Sequence, residues 1–401
     1  MSTDVTLSAA TRQNLLSLQD TAALTSTTQN RLSTGKKVAS ALDNPINFFT
    51  SQSLSNRSSD LGSLLDGISN GVQTIQAANQ GLTSIQKLVD SAKSTANQAL
   101  ATQITTSGTA KNNFASAVTA SSGTISLYVN GTAVTAAAAS TASIDTVIAN
   151  LNAAVSAQGA GTAFTKDTTG TKIVVSGSAD IEFATTADQT TLGFQAGTAP
   201  AAKYGTTSAA GQSGDLTVIG VKERAGLAAQ YNSLLTQIDQ LARDASFNGV
   251  NLLSSNASTN KLHISFNEKD TSNLDIQGVD ATSIGLSLTA ISGDSGSSVN
   301  GQGSFLLDAD VKGTLTTLTN ASSTLRSQAS TFGSNLSVVQ NRQDFTKKII
   351  NVLDTGSSKL TDADLNEEAA NSQALTTRQS LGISALSLAN QAQQGVLQLL
   401  R

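Results

Sequence analysis

The chain has no cysteine, no tryptophan, one histidine and two prolines among its 401 residues. Without thiols there can be no disulfide, thiolate metal site or cysteine nucleophile. A single histidine, His263, cannot supply a His-Glu-x-x-His zinc helix, and it is the one imidazole available to a Ser-His-Asp arrangement. It stands between Leu262 and Ile264 in an alternating stretch, where a surface or edge-strand side chain is expected. Aromatic residues make up 3%, too few for one bulky globular core. Charged residues make up 13%, about half the usual share. The net charge of −4 gives no basic surface for nucleic acid. No run approaches the ~18 apolar residues of a membrane span. The first residues lack a basic region followed by an apolar run, so no ordinary secretory signal is expected. So few prolines leave room for long uninterrupted helices.

Helical periodicity fills that room. From Leu375, small and apolar residues recur at Gly382, Leu386, Ala389, Val396 and Leu400, with Gln379 and Gln393 in the gaps. Steps of four and three are the seam of a coiled coil. A helix with one apolar stripe and a Gln/Ser/Asn back needs a partner. Residues 4–33 supply a matching stripe through Leu18, Thr25 and Leu32, broadened by Leu15, Ala22 and Leu24. Gly35 is a plausible stop, and Lys36 and Lys37 follow where a helix dipole favours cations. Asn44-Pro45 opens a second helix as N-cap and first residue. Its seam runs Ile68, Val72, Ile75, Ala78, Leu82, Ile85, Val89, Ala92, Ala96, Ala99. A third helix begins at 221, with an expected seam of Leu227, Tyr231, Leu234, Ile238, Leu241 and Ala245. The longest seam repeats every seven residues from Leu318 through Leu325, Phe332, Val339, Thr346 and Leu353 to Leu360, with Ala329, Leu336 and Ile350 beside it. It predicts a helix of roughly 60 Å.

Between residues 105 and 218 the pattern changes. GTISLYVNGTAV alternates about Asn130-Gly131, a tight hairpin turn. Ser143 caps a short helix whose face is Ile144, Val147, Ile148, Leu151 and Val155. KIVVSG, IEFAT and TLGFQ read as strands, and 196–214 as a Gly/Ala/Thr linker. Further on, 261–288 alternates as a hairpin, and 292–303 reads as a loop. The fold class that follows is mainly α: a long antiparallel coiled-coil rod formed by the N- and C-terminal segments, with a β-hairpin and an inserted small α+β domain. Three parts are expected: 1–44 with 361–401, 45–104 with 219–360, and 105–218.

Three stretches then carry a family resemblance. QNRLSTGKKVASALDNP at 29–45, SFNGVNLL at 246–253 and ANQAQQGVLQLLR at 389–401 occur in the order found in bacterial flagellins, which the chain resembles at both ends and through its core. The 105–218 insertion is similar to a small module of flagellins and hook-associated proteins. The resemblance implies a self-assembling filament subunit, secreted through the flagellar type III apparatus and polymerised beneath a cap. It implies an extracellular location, with a flagellin chaperone and hook-associated proteins as partners. From the residues themselves no cofactor, metal site or enzymatic activity is expected. The assembly residues it points to are Leu15, Leu18, Leu24 and Leu32, with Leu386, Ala389, Val396, Leu397 and Leu400, all in packing roles.

Other readings of the same residues are weaker. Asp362, Asp364, Glu367 and Glu368 form the densest acidic cluster, but carboxylates in a first turn favour a helix N-terminus. Lys347-Lys348 reads as a solvated face. No strand-Gly-rich-helix arrangement ends in Lys-Ser/Thr, so no phosphate loop is expected. Two alternatives to a filament subunit stay open: a hook–filament junction protein, and an adhesive role for the insertion.

Overall fold

The structure is a computed structural model that describes residues 9–114, 123–139, 141–197, 213–254, 260–291 and 305–399. Its elements in chain order begin with α1 (Ala9–Thr34), α2 (Pro45–Ala101), β1 (Thr105–Thr109), β2 (Thr124–Val129) and β3 (Thr132–Ala137). Then come α3 (Ile144–Ser156), β4 (Phe164–Lys166), β5 (Ile173–Gly177), β6 (Ile181–Phe183), α4 (Thr186–Thr191) and β7 (Leu216–Ile219). The chain continues through α5 (Val221–Asp244), β8 (Ser246–Phe247), β9 (Val250–Asn251), β10 (Lys261–Ser265), β11 (Asn273–Gln277), α6 (Asp308–Thr361) and α7 (Leu365–Leu399). They form two compact units. One holds 1–69, 265–273 and 340–401, and the other 70–264 and 274–339. The division falls inside α2 and α6.

The second unit has a helical part and an inserted module. The α2 seam from Val72 to Ala99 is buried throughout, as is α6 at Leu318, Leu325, Phe332 and Val339. Gln86 Nε2 donates to Ser322 Oγ at 2.8 Å, tying the two helices. Gly81 of α2 marks a close approach, since a β-carbon there would lie 2.7 Å from Ala245 Cβ and Leu253 Cδ1. The α5 seam differs from expectation. Tyr231 and Ile238 are buried, but their companions are Ala228, Leu235 and Ala242 rather than Leu227, Leu234 and Leu241. Tyr231 and Ile238 stay in place while the companion row moves by one residue, so the stripe turns by roughly 50°. That rotation also buries Arg224. Its guanidinium donates to the carbonyls of Thr102 (2.8 Å), Phe305 (3.1 Å) and Leu306 (3.0 Å) and to Asp308 Oδ1 (2.8 Å). Arg224 thus joins the end of α2, the start of α5 and the entry to α6.

The module between β1 and β7 has its own core. One antiparallel sheet has the order β4-β5-β1-β7 and another the order β3-β2-β6. Ile125, Leu127 and Val129 of β2, Ile181 and Phe183 of β6, and Val147, Leu151 and Val155 of α3 lie in one buried cluster. Asn130 (φ 48°) and Gly131 (φ 81°) make the expected turn. Ser143 caps α3 by accepting from Thr146 N at 3.2 Å. The TLGFQ stretch is not a strand. Thr185 Oγ1 accepts from Asp188 N at 3.1 Å and donates to Asp188 Oδ2 at 2.6 Å, a cap that starts α4 instead. Leu192 and Phe194 enter the core from the turn after it. Most of the expected linker 196–214 lies outside the described residues, as does all of 292–303.

SFNGVNLL forms a tight hairpin of β8 and β9 about Asn248 (φ 49°) and Gly249 (φ 79°). The 261–288 hairpin is shorter than expected. Strands β10 and β11 pair, but beyond Gln277 the chain turns, burying Ala281, Leu286 and Leu288. His263 is an exposed strand residue whose Nδ1 lies 2.6 Å from Asp275 Oδ1.

The first unit contains α1, α7, the remaining parts of α2 and α6, and the tip between β10 and β11. Asn44 Oδ1 accepts from Asn47 N at 3.1 Å, the expected cap of α2. Ser51 and Ser55 of α2 share Ser357 of α6 at 2.7 and 2.9 Å. Ser69 meets Gln343 at 2.8 Å, so within this unit the two helices run antiparallel. Helix α6 has 54 residues, which at 1.5 Å each is about 80 Å rather than 60. Val311 and Thr314 extend its buried face N-terminal to Leu318.

Candidate assembly surface on the terminal helices

The two terminal helices are joined where α6 gives way to α7. Gly35 (φ 69°) ends α1, its N–H donating to Arg31 O at 2.8 Å. The next residues run beside 361–363: Lys37 N and Val38 N donate to Thr361 O at 2.7 and 3.2 Å, and Ala363 N donates to Gly35 O at 2.9 Å. Lys37 Nζ reaches Lys359 O at 2.8 Å, so it serves the carbonyl end of α6 and not that of α1. Asp364 Oδ1 accepts from Asn366 N at 2.9 Å and Glu367 N at 3.3 Å, capping α7. The acidic cluster is thereby divided, because Glu368 turns to Arg31 instead, with Nη1 2.9 Å from Oε1.

Helices α1 and α7 then pack antiparallel, Arg31 beside Glu368 at one end and Leu18 beside Gly382 further along. On α7 the covered positions are Glu368, Ser372, Leu375, Gln379, Gly382, Leu386 and Ala389, in steps of four and three. On α1 they are Thr11, Asn14, Leu18, Thr21, Thr25 and Thr28. This inner face is mostly threonine. Thr21 and Thr25 return their hydroxyls to Ser17 O and Thr21 O, each at 2.7 Å, which satisfies the polar atom within the helix. The leucines of α1 mostly face away, with Leu15 41% exposed, Leu24 53% and Leu32 39%.

The nine expected assembly residues therefore separate. Leu18, Leu386 and Ala389 are half-buried on the covered faces. Leu15, Leu24 and Leu32 point outward. The backbone is helical at Val396 and Leu397, whose side chains lie outside the description, as does all of Leu400. The sequence reading missed Leu16, Leu381, Ile383 and Leu388, all more than half exposed. Leu381 and Leu388 are seven apart and each precede a seam residue, so their spacing alone could have marked a second stripe.

Comparison with known proteins fits both halves of this surface. Residues 5–131 match the bacterial flagellin N-terminal helical region, and residues 315–400 match the bacterial flagellin C-terminal helical region. Together the two matches cover more than half of the chain. The chain belongs to the bacterial flagellin family. Among flagellins of Caulobacter vibrioides, FljM is 34% identical over 175 residues, which span 44% of this chain and 59% of that protein. Flagellin B of Rhizobium meliloti is 38% identical over 106 residues, 26% of each chain. Flagellin A of its strain 1021 is 41% identical over 95 residues, 24% of this chain and 23% of the relative. The matched stretch thus spans under two thirds of each of these flagellins.

Proposed function

We propose that this flagellin is a structural subunit of the bacterial flagellar filament, assembling through its terminal helices. The outward leucines of α1 and α7 carry the reading. In the single chain the α1 side of the contact is mostly threonine, Leu18, Leu375 and Leu386 are its only leucines among the described residues, and Leu15, Leu16, Leu24, Leu381, Ile383 and Leu388 stay in water. Burying one such side chain contributes roughly 1.5–3 kcal/mol, so copies stacked around an axis gain what the isolated pair lacks. In that arrangement 1–44 with 361–401 form the inner wall, 45–104 with 219–360 the next layer, and 105–218 faces solvent. Export by the flagellar type III apparatus, growth beneath the cap, an extracellular location, chaperone binding and junctions with hook-associated proteins belong to the same reading. The role is structural and not enzymatic.

Seeded growth tests it. The full chain, added to short filament fragments, is expected to extend them into long filaments visible by negative-stain electron microscopy. A truncation ending at Gly382 is expected not to. Short caps from the full chain would favour a hook–filament junction protein, and equal growth by the truncation would remove α7 from the mechanism.

A further inference from the structure

A second apolar surface lies away from α1 and α7, on a rigid turn. Asp43 Oδ2 accepts from Ala39 N (3.0 Å), Ser40 N (2.8 Å) and Ser40 Oγ (3.1 Å), and Asp43 N donates to Ser40 O at 3.2 Å. Those bonds, the Ser40 and Ala39 amides foremost, hold the Asp43 carboxyl below its usual range, so it is ionised at neutral pH. On this turn Leu42 is 96% exposed, and Ile46 and Phe49 among the first five residues of α2 are also exposed. A leucine in full contact with water on a turn closed by four hydrogen bonds loses little freedom on docking.

The same chain carries a matching surface on α6. Phe345 and Val352, seven apart, are 55% and 65% exposed, and Lys347 and Lys348 between them are exposed. Neither lysine has a salt bridge among the described residues. Phe345 borders a cleft lined by Leu61, Phe266, Thr346 and Ile349. Arg342 lies over the Phe266 ring at 5.6 Å from its centroid.

We propose that the Leu42–Ile46–Phe49 knob of one copy docks on the Phe345–Val352 stripe of a second copy, with Asp43 facing Lys347 and Lys348. The inference rests on the filament reading above and names a contact outside the terminal helices. Charge complementarity selects the occupant, an anionic apolar knob against a cationic apolar stripe. The two surfaces are different patches of one chain, so each copy carries both halves of the contact, and its repetition from copy to copy without closure builds an open polymer.

The absence of cysteine makes the test direct. Leu42→Cys and Phe345→Cys chains are purified separately, mixed in equal amounts, grown from seeds and treated with a short bis-maleimide. Covalent dimers are expected from the mixed filaments, and neither from filaments of one variant nor from the unassembled mixture. Mixed filaments with no dimers, or dimers from Leu42→Cys filaments alone, would overturn the contact. If the unmutated chain gives no filaments, the filament reading falls and the contact with it. Leu42→Ser and Phe345→Ser supply a second readout. Each is expected to raise the critical concentration for growth roughly tenfold while melting as the parent does. The double variant is expected to match the worse single variant, since both remove one contact. Multiplied effects would overturn the pairing.

Discussion

Leu18 occupies the space beside Gly382: a β-carbon at Gly382 would lie 2.9 Å from Leu18 Cδ2 and 3.1 Å from its Cγ. The obstructing atoms belong to the end of a flexible side chain, so a methyl group can be accommodated by a rotamer change of about 0.5–1.5 kcal/mol. Replacing glycine within a helix returns about 1 kcal/mol. Gly382→Ala is therefore expected to be nearly neutral. Gly382→Ile cannot be relieved in that way and is expected to part the two helices. Hydrogen exchange of the α1 amides distinguishes them: parental protection for the alanine variant, faster exchange for the isoleucine variant. Equal protection in both would mean that Gly382 is not a contact point.

Much of this was legible in the sequence, for a physical reason. Ile68 through Ala99 and Leu318 through Leu353 are buried as their spacing required, because an α-helix that hides one face must repeat near 3.5 residues. Asn130-Gly131 fixed its turn through the positive φ that those residues tolerate. Three features escaped. The α5 stripe is rotated because its buried companion row holds Ala228 and Ala242 beside Leu235, and alanines stand out less in the spacing than the leucines next to them. Arg224 was invisible because a charged residue is expected in water unless its partners are known. The threonine face of α1 is partly hidden because threonine marks a covered side less plainly than leucine, and the leucines of α1 mostly face outward. In a helix that meets neighbours on several sides, the most apolar face need not be the one covered within the chain.

Arg224 carries the second prediction. Its guanidinium holds three carbonyls and the Asp308 carboxylate, and the side chain is 4% exposed. Arg224→Met would leave Thr102 O, Phe305 O and Leu306 O without this donor. Asp308 is 58% exposed and is left in water, so the expected loss comes from the carbonyls, at about 1–3 kcal/mol for a buried acceptor left without its donor. Arg224→Lys is expected to restore little, because one ammonium cannot span a planar fork of acceptors. Urea unfolding of the full chain checks both, read as a lower midpoint at an unchanged slope.

The third prediction concerns pH. Asp180 and Glu182 are two apart at β6, on the face opposite the core residues Ile181 and Phe183, and are 2% and 7% exposed. Burial, and then the neighbouring Glu182 charge, push the Asp180 carboxyl up to about 8. Its Oδ1 has no hydrogen-bond partner among the described residues. Because the folded pKa exceeds the unfolded one, the folded state holds the extra proton between about pH 4 and 8. The contribution of Asp180 is greatest below that window, falls as pH rises through it and levels off above. Asp180→Asn is expected to flatten this part of the pH–stability curve and to raise stability near pH 8 by a few kcal/mol. Calorimetry from pH 4 to 9 decides; parallel curves for parent and variant would contradict the assignment.

Tyr231 supplies the last prediction. Its ring is fully buried on α5, 5.7 Å from the Phe305 ring centroid, and its hydroxyl has no hydrogen-bond partner among the described residues. Burial raises the phenol pKa, so the group stays neutral and titration offers it no relief. A buried hydroxyl without a partner costs about 1–3 kcal/mol. Tyr231→Phe removes that oxygen and keeps the ring contact with Phe305, so the variant is expected to melt at the parental temperature or above it. Tyr231→Ala removes the ring as well and is expected to cost about 3–5 kcal/mol, as other large-to-small aromatic changes do. If Tyr231→Phe lowered the melting temperature by several degrees, the hydroxyl would have to hold a partner, and water beside Tyr231 would be the first place to look.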